Sequence, residues 1–210
     1  MGMVSTAERI LDSAQALAQV RGYNGFSYAD ISAELAITKP SIHYHFPSKA
    51  QLAEALIARY RRRFAEARRD VGEAATGVRE RLTGYARLYA EIFTDGGRMC
   101  LCGVFAADAA SLPPGVRRAT AEFVDDQQRW VAAAFAEAGR PAARARGAAQ
   151  AFLAALEGAP ARGRRSSRFP SWGRHRTGRG GHDARRPALA APDRRAGRPH
   201  APSTIQLVDK

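Results

Sequence analysis

Ser27-Tyr28-Ala29-Asp30-Ile31-Ser32-Ala33-Glu34-Leu35-Ala36-Ile37-Thr38-Lys39-Pro40-Ser41-Ile42-His43-Tyr44-His45-Phe46-Pro47-Ser48-Lys49 is the stretch that decides how this 210-residue chain reads. Ser27 can cap a short helix carrying Tyr28, Ile31 and Leu35, with Asp30 at its third position, where a carboxylate meets the free amides of a helix start. Ala36 and Ile37 leave room only for a tight connection. Thr38 caps a second short segment, and Pro40 is tolerated there because first-turn amides lack a helical partner. Phe46-Pro47 stops that segment, and Ser48 with Gln51 opens a long helix through Leu52, Leu56, Tyr60 and Phe64. Two short helices across a tight turn, braced before and after, form a helix-turn-helix pattern.

Outward from this stretch, every segment to residue 158 reads as helix. From Ser5 to Arg21 the apolar positions Ile10, Leu11, Ala14, Leu17 and Ala18 recur on one helical face, with Ser5 and Glu8 as a capping box and Gly22 as the stop. A helix from about Glu73 to Thr94 carries Val78, Leu82, Tyr85, Leu88, Tyr89 and Ile92, broken by Gly96-Gly97. An apolar stretch from Met99 to Leu112 ends at Pro113-Pro114. Val116 to Ala138 follows with Phe123, Trp130, Val131 and Phe135, then Ala142 to Glu157 with Phe152, Leu153 and Leu156. The expected fold class is all-α: a three-helix N-terminal helix-turn-helix domain over 5–65, and a C-terminal helical bundle over 66–158.

In a helix-turn-helix the second helix enters the major groove of DNA and presents its N-terminal residues to base edges. Here Thr38 and Ser41 can bond phosphates or bases, or simply cap; Lys39 supplies charge; Pro40 can pack on a thymine methyl. His43, Tyr44 and His45 offer aromatic faces with polar tips, while Ile42 and Phe46, four apart, form the buried side. Lys49 falls in the first turn of the next helix, where free amides favour a phosphate. Ser27 and Tyr28, at the start of the preceding helix, complete the candidate DNA-contacting set.

The residues Ile10, Gly22, Phe26-Ser27, Ile31 and Leu35 through Lys49, with Leu52, resemble the DNA-binding domain of TetR-family transcriptional regulators. The resemblance is dense over about the first 65 residues. Two positions depart from the family's pattern: His43 stands where an aromatic, usually Tyr, is expected, and Ala36 where Gly is common. His can still stack and donate, and Ala36 needs no positive φ if the turn is helical. The resemblance implies a homodimer, a double-stranded DNA operator with two half-sites, and a pocket in the C-terminal bundle for a small-molecule effector. Tyr85, Tyr89, Phe105, Phe123 and Trp130 are the candidate pocket residues, most of them serving mainly as core. The implied function is that of a repressor whose ligand moves the two reading heads out of register with successive grooves.

The chain's net charge of +13 supports a polyanionic partner, but it is unevenly placed. Residues 159–210 hold 13 Lys+Arg against 3 Asp+Glu, six of the eleven prolines and only five Ile, Leu, Val or Phe. Such a segment cannot bury enough apolar surface to offset chain entropy, so 159–210 is expected to be a disordered basic tail. The break at Gly158 is abrupt in both composition and periodicity. The favoured reading is a frameshifted translation of a high-GC gene that replaces a final dimerisation helix and leaves the bundle incomplete. The other reading is a genuine basic arm, which makes a non-specific nucleic-acid-binding protein dominated by its tail the alternative function.

Other chemistries are weaker. Arg59, Arg61, Arg62, Arg63, Arg68 and Arg69 spiral around the long helix and are expected to form mostly a solvated face. His43 and His45 lie roughly 200° apart on a helix and cannot share a metal. Cys100 and Cys102 have no Cys or His nearby in sequence; packing is their expected role, with a thiol-based redox sensor as a further alternative function. Two cysteines fit a reducing cytoplasm, and the N-terminal residues lack the basic and long apolar segments of a secretory signal. Without a nucleophile elbow, a phosphate-cradling loop or paired catalytic carboxylates, no enzyme, cofactor or membrane span is expected.

Overall fold

The computed structural model describes residues 4–94 and 98–165, and among these it contains eight α-helices, one 3-10 turn and no strand. Helix α1 (Thr6–Arg21) starts at Ser5, whose hydroxyl accepts from the Glu8 amide at 3.2 Å, and stops at Gly22 with φ 75°. Helices α2 (Tyr28–Leu35) and α3 (Lys39–His45) follow, the latter capped by Thr38, whose hydroxyl accepts from the Ser41 amide at 3.3 Å. Ser48 caps α4 (Lys49–Ala74) in the same way through Gln51 at 3.2 Å. Each of these starts is a local side chain satisfying an otherwise free amide.

The second half comprises α5 (Val78–Thr94), α6 (Leu101–Ala107), a 3-10 turn (Ala109–Ser111), α7 (Pro114–Glu137) and α8 (Ala142–Arg165). Glu73 belongs to α4 rather than to the start of α5, because Thr76 ends the run instead: its amide and hydroxyl both donate to Glu80 at 2.9 and 2.8 Å. Helix α4 passes as a single element through the expected boundary at 65/66, so the two units share it.

One apolar core runs the length of the described residues. Ile10, Ile31, Ile42, Leu52 and Leu56 are completely buried beneath the three N-terminal helices. Tyr60 and Phe64 carry the core along α4 into the bundle, where the Phe64 ring lies 5.4 Å from Phe123, 5.6 Å from Tyr89 and 6.1 Å from Tyr85. The two halves are also tied by hydrogen bonds: Gln19 and Met99 exchange two, at 2.8 and 3.4 Å, and Asn24 donates to Ser111 at 2.8 Å.

Three further sequence expectations are corrected. Ala36 does adopt a left-handed conformation, φ 53° and ψ 40°, a region that costs a residue with a Cβ about 1–2 kcal/mol. The tightness of the turn forces it, because the Ile37 amide must reach back to the Ser32 carbonyl at 3.2 Å.

The arginine run is not mainly a solvated face. Arg59 is buried and donates to Glu8, Asp12 and Gln15 of α1 at 2.9, 2.8 and 3.1 Å. Arg61 bridges to Asp126 and Glu122 of α7, and Arg68 reaches the Asp126 carbonyl and Gln127. Arg62 and Arg69 do face solvent.

The third correction concerns the tail. Helix α8 continues seven residues past Gly158, to Arg165. Low apolar content argues against burial but not against helix, and Ala and Arg are strong helix formers that extend a helix already nucleated by packing. The rest of the expected basic tail, 166–210, with its frameshift reading, lies outside the described residues.

Candidate nucleic-acid interface

Helix α3 has two unlike sides. Ile42 is completely buried against the three-helix core, with Phe46 nearly so. Lys39, Pro40, His43 and Tyr44 are exposed, together with the cap Thr38, while Ser41 and His45 are half-buried at the edges. Tyr44 stands out: 85% of its surface is open to solvent, whereas the chain's other five tyrosines are buried. Its ring lies edge-on to His45 at 5.2 Å.

The remaining candidates hold this helix in place. The Tyr28 hydroxyl donates to the Phe46 carbonyl at 2.7 Å, at the end of α3, and burial pushes its phenol up to about 12. The Tyr28 ring lies edge-on to His43 at 4.7 Å, and His43 Nδ1 is 3.2 Å from the Pro47 carbonyl. The Ser27 amide and hydroxyl both donate to Asp30, at 2.8 and 2.6 Å, and these bonds hold the Asp30 carboxyl below its ordinary range.

Lys49 does not extend its ammonium toward a phosphate. Its Nζ donates to the Phe26 carbonyl at 2.5 Å and lies 4.7 and 4.5 Å from the Tyr23 and Phe26 ring centroids. Desolvation there lowers its pKa, with Asp30 opposing. The structure thus brings Thr38, Lys39, Pro40, Ser41, His43, Tyr44 and His45 to one short helix and places Ser27, Tyr28 and Lys49 behind it.

In the bundle, four of the five pocket candidates meet. Tyr85 stacks on Trp130 at 5.1 Å, lies 5.5 Å from Tyr89, and donates to Gln127 at 3.0 Å; Tyr89 and Phe123 both pack on Phe64. Phe105 stands apart, edge-on to Tyr23 at 5.8 Å, on the side facing the N-terminal helices. Tyr89 also lines a small cavity with Arg98, Met99, Cys100, Gly103, Leu156 and Glu157. Burial raises the Glu157 carboxyl, and the Cys100 thiol hydrogen bond opposes that rise. A larger cleft of about 440 Å³ lies between α7 and α8, lined by Ala132, Ala133, Ala136, Ala142, Ala145 and polar residues, and includes none of the aromatic candidates.

Burial pushes the Cys100 thiol up to about 12 and raises Cys102 as well, which disfavours the reactive thiolate at both. Among the described residues no group of His, Cys, Asp or Glu could hold a metal, and no helix is long and apolar enough to cross a membrane.

Sequence reasoning missed Arg59 and the Gln19–Met99 link. The available signal was the pair Gln15 and Gln19, polar residues four apart next to the apolar stripe of α1, both buried.

A helix-turn-helix with one aromatic-tipped outer face, seated on an α-helical bundle, defines a DNA-binding regulator. The sequence profile of "Bacterial regulatory proteins, tetR family" matches residues 10–56, and that of "Transcriptional regulator LmrA/YxaF-like, C-terminal domain" matches residues 79–167. A TetR transcriptional regulator from Legionella pneumophila is 30% identical, with a TM-score of 0.75 over 78% of this chain and 89% of that one. A TetR-family regulator from Agrobacterium tumefaciens is also 30% identical, with a TM-score of 0.70 over 76% and 87%. A transcriptional regulator from Saccharomonospora viridis, solved in complex with choline, shares the fold at 24% identity and a TM-score of 0.61, over 77% and 86%. No curated protein matches the chain.

The chain belongs to the TetR family of transcriptional regulators. It is therefore a sequence-specific DNA-binding regulator rather than an enzyme, one that acts on operator DNA as a dimer and responds to a small-molecule effector. The C-terminal profile extends past Gly158, across the break in composition and periodicity. Neither the tail-dominated nor the thiol-sensor alternative gains support from these matches.

Proposed function

We propose that this regulator reads its operator in the cytoplasm with the outer face of α3: Lys39, Pro40, His43 and Tyr44 toward base edges, Thr38 and Ser41 toward the backbone. The supporting observation is the exposure of Tyr44 opposite a completely buried Ile42, an orientation that a folded chain does not give an aromatic ring for packing. Ser27, Tyr28 and Lys49 act as positioning residues. Residues 5–65 form the reading head and the bundle beyond them the effector and dimerisation unit. We place the effector among Tyr85, Tyr89, Phe123 and Trp130, where aromatic surface and buried hydroxyls meet.

A salt titration on a duplex selected from a random pool, against a random duplex, tests this. The full chain is expected to prefer the selected duplex by at least about a thousandfold. Lys39→Ala with Tyr44→Ala should abolish most of that ratio at unchanged Tm. Equal affinity for both duplexes, lost on deleting 159–210, would instead support a tail-dominated binder.

A further inference from the structure

We infer that His43 faces the operator as a hydrogen-bond acceptor and specifies an amino-bearing base, adenine or cytosine, at one position in each half-site. This rests on the reading of α3 given above and assigns a polarity to one of its contacts.

The polarity follows from the Pro47 carbonyl, 3.2 Å from His43 Nδ1. A carbonyl oxygen only accepts, so Nδ1 carries the proton. A neutral imidazole has one donor and one acceptor nitrogen, which leaves Nε2 with a bare lone pair. Nε2 has no hydrogen-bond partner among the described residues, and His43 lies on the exposed side of α3 beside Lys39 and Tyr44.

The ring is also held against a flip. Tyr28 packs its edge against His43 at 4.7 Å and is itself pinned by the bond to the Phe46 carbonyl. Turning the ring over would replace the Nδ1 donor at Pro47 with a carbon and forfeit that bond. Consecutive carbonyls at the end of α3 are thus claimed by two rings, Phe46 by Tyr28 and Pro47 by His43.

In the major groove, donors are the N6 amino group of adenine and the N4 amino group of cytosine; guanine and thymine offer that edge only acceptors and a methyl. Phosphate oxygens accept only, so they are refused as well. A tyrosine hydroxyl, which both donates and accepts, would not make this distinction. Replacement of the usual Tyr by His therefore narrows the choice of base at this position.

The test compares sequences selected from a random DNA pool by the full-length wild type, His43→Phe and His43→Tyr. Wild type should show an adenine or cytosine bias of on the order of five- to tenfold at one position per half-site. His43→Phe, which keeps a ring against Tyr28, should lose the bias there and retain it elsewhere; His43→Tyr should admit guanine or thymine. Nitrogen chemical shifts of His43 in the free protein should report the Nδ1–H tautomer. A guanine or phosphate contact at this site, the Nε2–H tautomer, or unchanged selection by His43→Phe would overturn the inference. Failure of the wild type to select any palindrome would instead overturn the reading of α3 itself.

Discussion

The reading head and the bundle spend their buried polar groups differently. Around the reading helix the buried and half-buried side chains bind backbone, Tyr28 the Phe46 carbonyl, Lys49 the Phe26 carbonyl and Ser32 the Ile37 carbonyl, while Arg59 pairs with side chains of α1. In the bundle, side chains mostly bind one another: Tyr85 to Gln127, Gln127 to Arg68, Tyr89 to Tyr85 at 3.5 Å, and Tyr60 to Cys100 at 3.7 Å. The three carbonyls of the head lie in the short connections between helices, so the bonds fix how α2, α3 and α4 meet. Side-chain partners can rotate and exchange, so a ligand's hydroxyls or amines can substitute for them without unfolding a helix. The contrast suits a rigid reader governed by an adaptable receptor.

The largest expected effect is at Arg59, on the helix common to both regions. Arg59→Ala leaves Glu8, Asp12 and Gln15 without their shared donor and should cost about 2–4 kcal/mol in urea unfolding, discounted because both carboxylates are partly exposed. A loss below 1 kcal/mol would show that α1 and α4 are held by apolar packing alone. Next, Tyr28→Phe should cost about 1–2 kcal/mol, since the Phe46 carbonyl loses a buried donor, and should weaken operator binding. Tyr85→Phe should cost less than 1 kcal/mol because Gln127 keeps Arg68 as a donor. Equal losses in this pair would break the contrast between anchored and exchangeable groups.

Smaller effects sharpen it. Ala36→Gly should stabilise the head by about 0.5–1 kcal/mol, seen as a higher Tm, by relieving the left-handed turn. The smallest concerns Asp30, whose carboxyl is held below its ordinary value by Ser27. Its contribution is present at neutral pH and disappears as pH falls below about 4 and the folded carboxyl takes up its proton. Asp30→Asn should therefore flatten the acid limb of the stability curve, and a limb identical to wild type would remove Ser27–Asp30 from the account.

How much of this was legible depends on distance along the chain. Ser5, Ser27, Thr38 and Ser48 could be read as helix starts because a cap and its amide are within three residues of each other. The buried Ile42 and exposed Tyr44 followed from helical period. The left-handed turn at Ala36 was signalled only by the Gly common there in the family, while the Ile37–Ser32 bond that forces it was not legible. Nor could Arg59 be told from Arg62, since only the rotation of α4 against α1 and α7 separates them. Lys49 misled for a related reason: its position at a helix start suited a phosphate, while its long stem let the ammonium fold back over Tyr23 and Phe26. At Gly158 composition was mistaken for conformation, and α8 continues where the apolar pattern ends.

The isolation of Tyr44 has a practical consequence. Of the chain's six tyrosines, five are shielded within the core, so a phenol-directed reagent such as iodine would modify one site on the native protein. The rate of that modification would report directly whether the outer face of α3 is occupied. Operator should suppress the labelling and effector should restore it, giving an internal gauge of the switch with no added fluorophore.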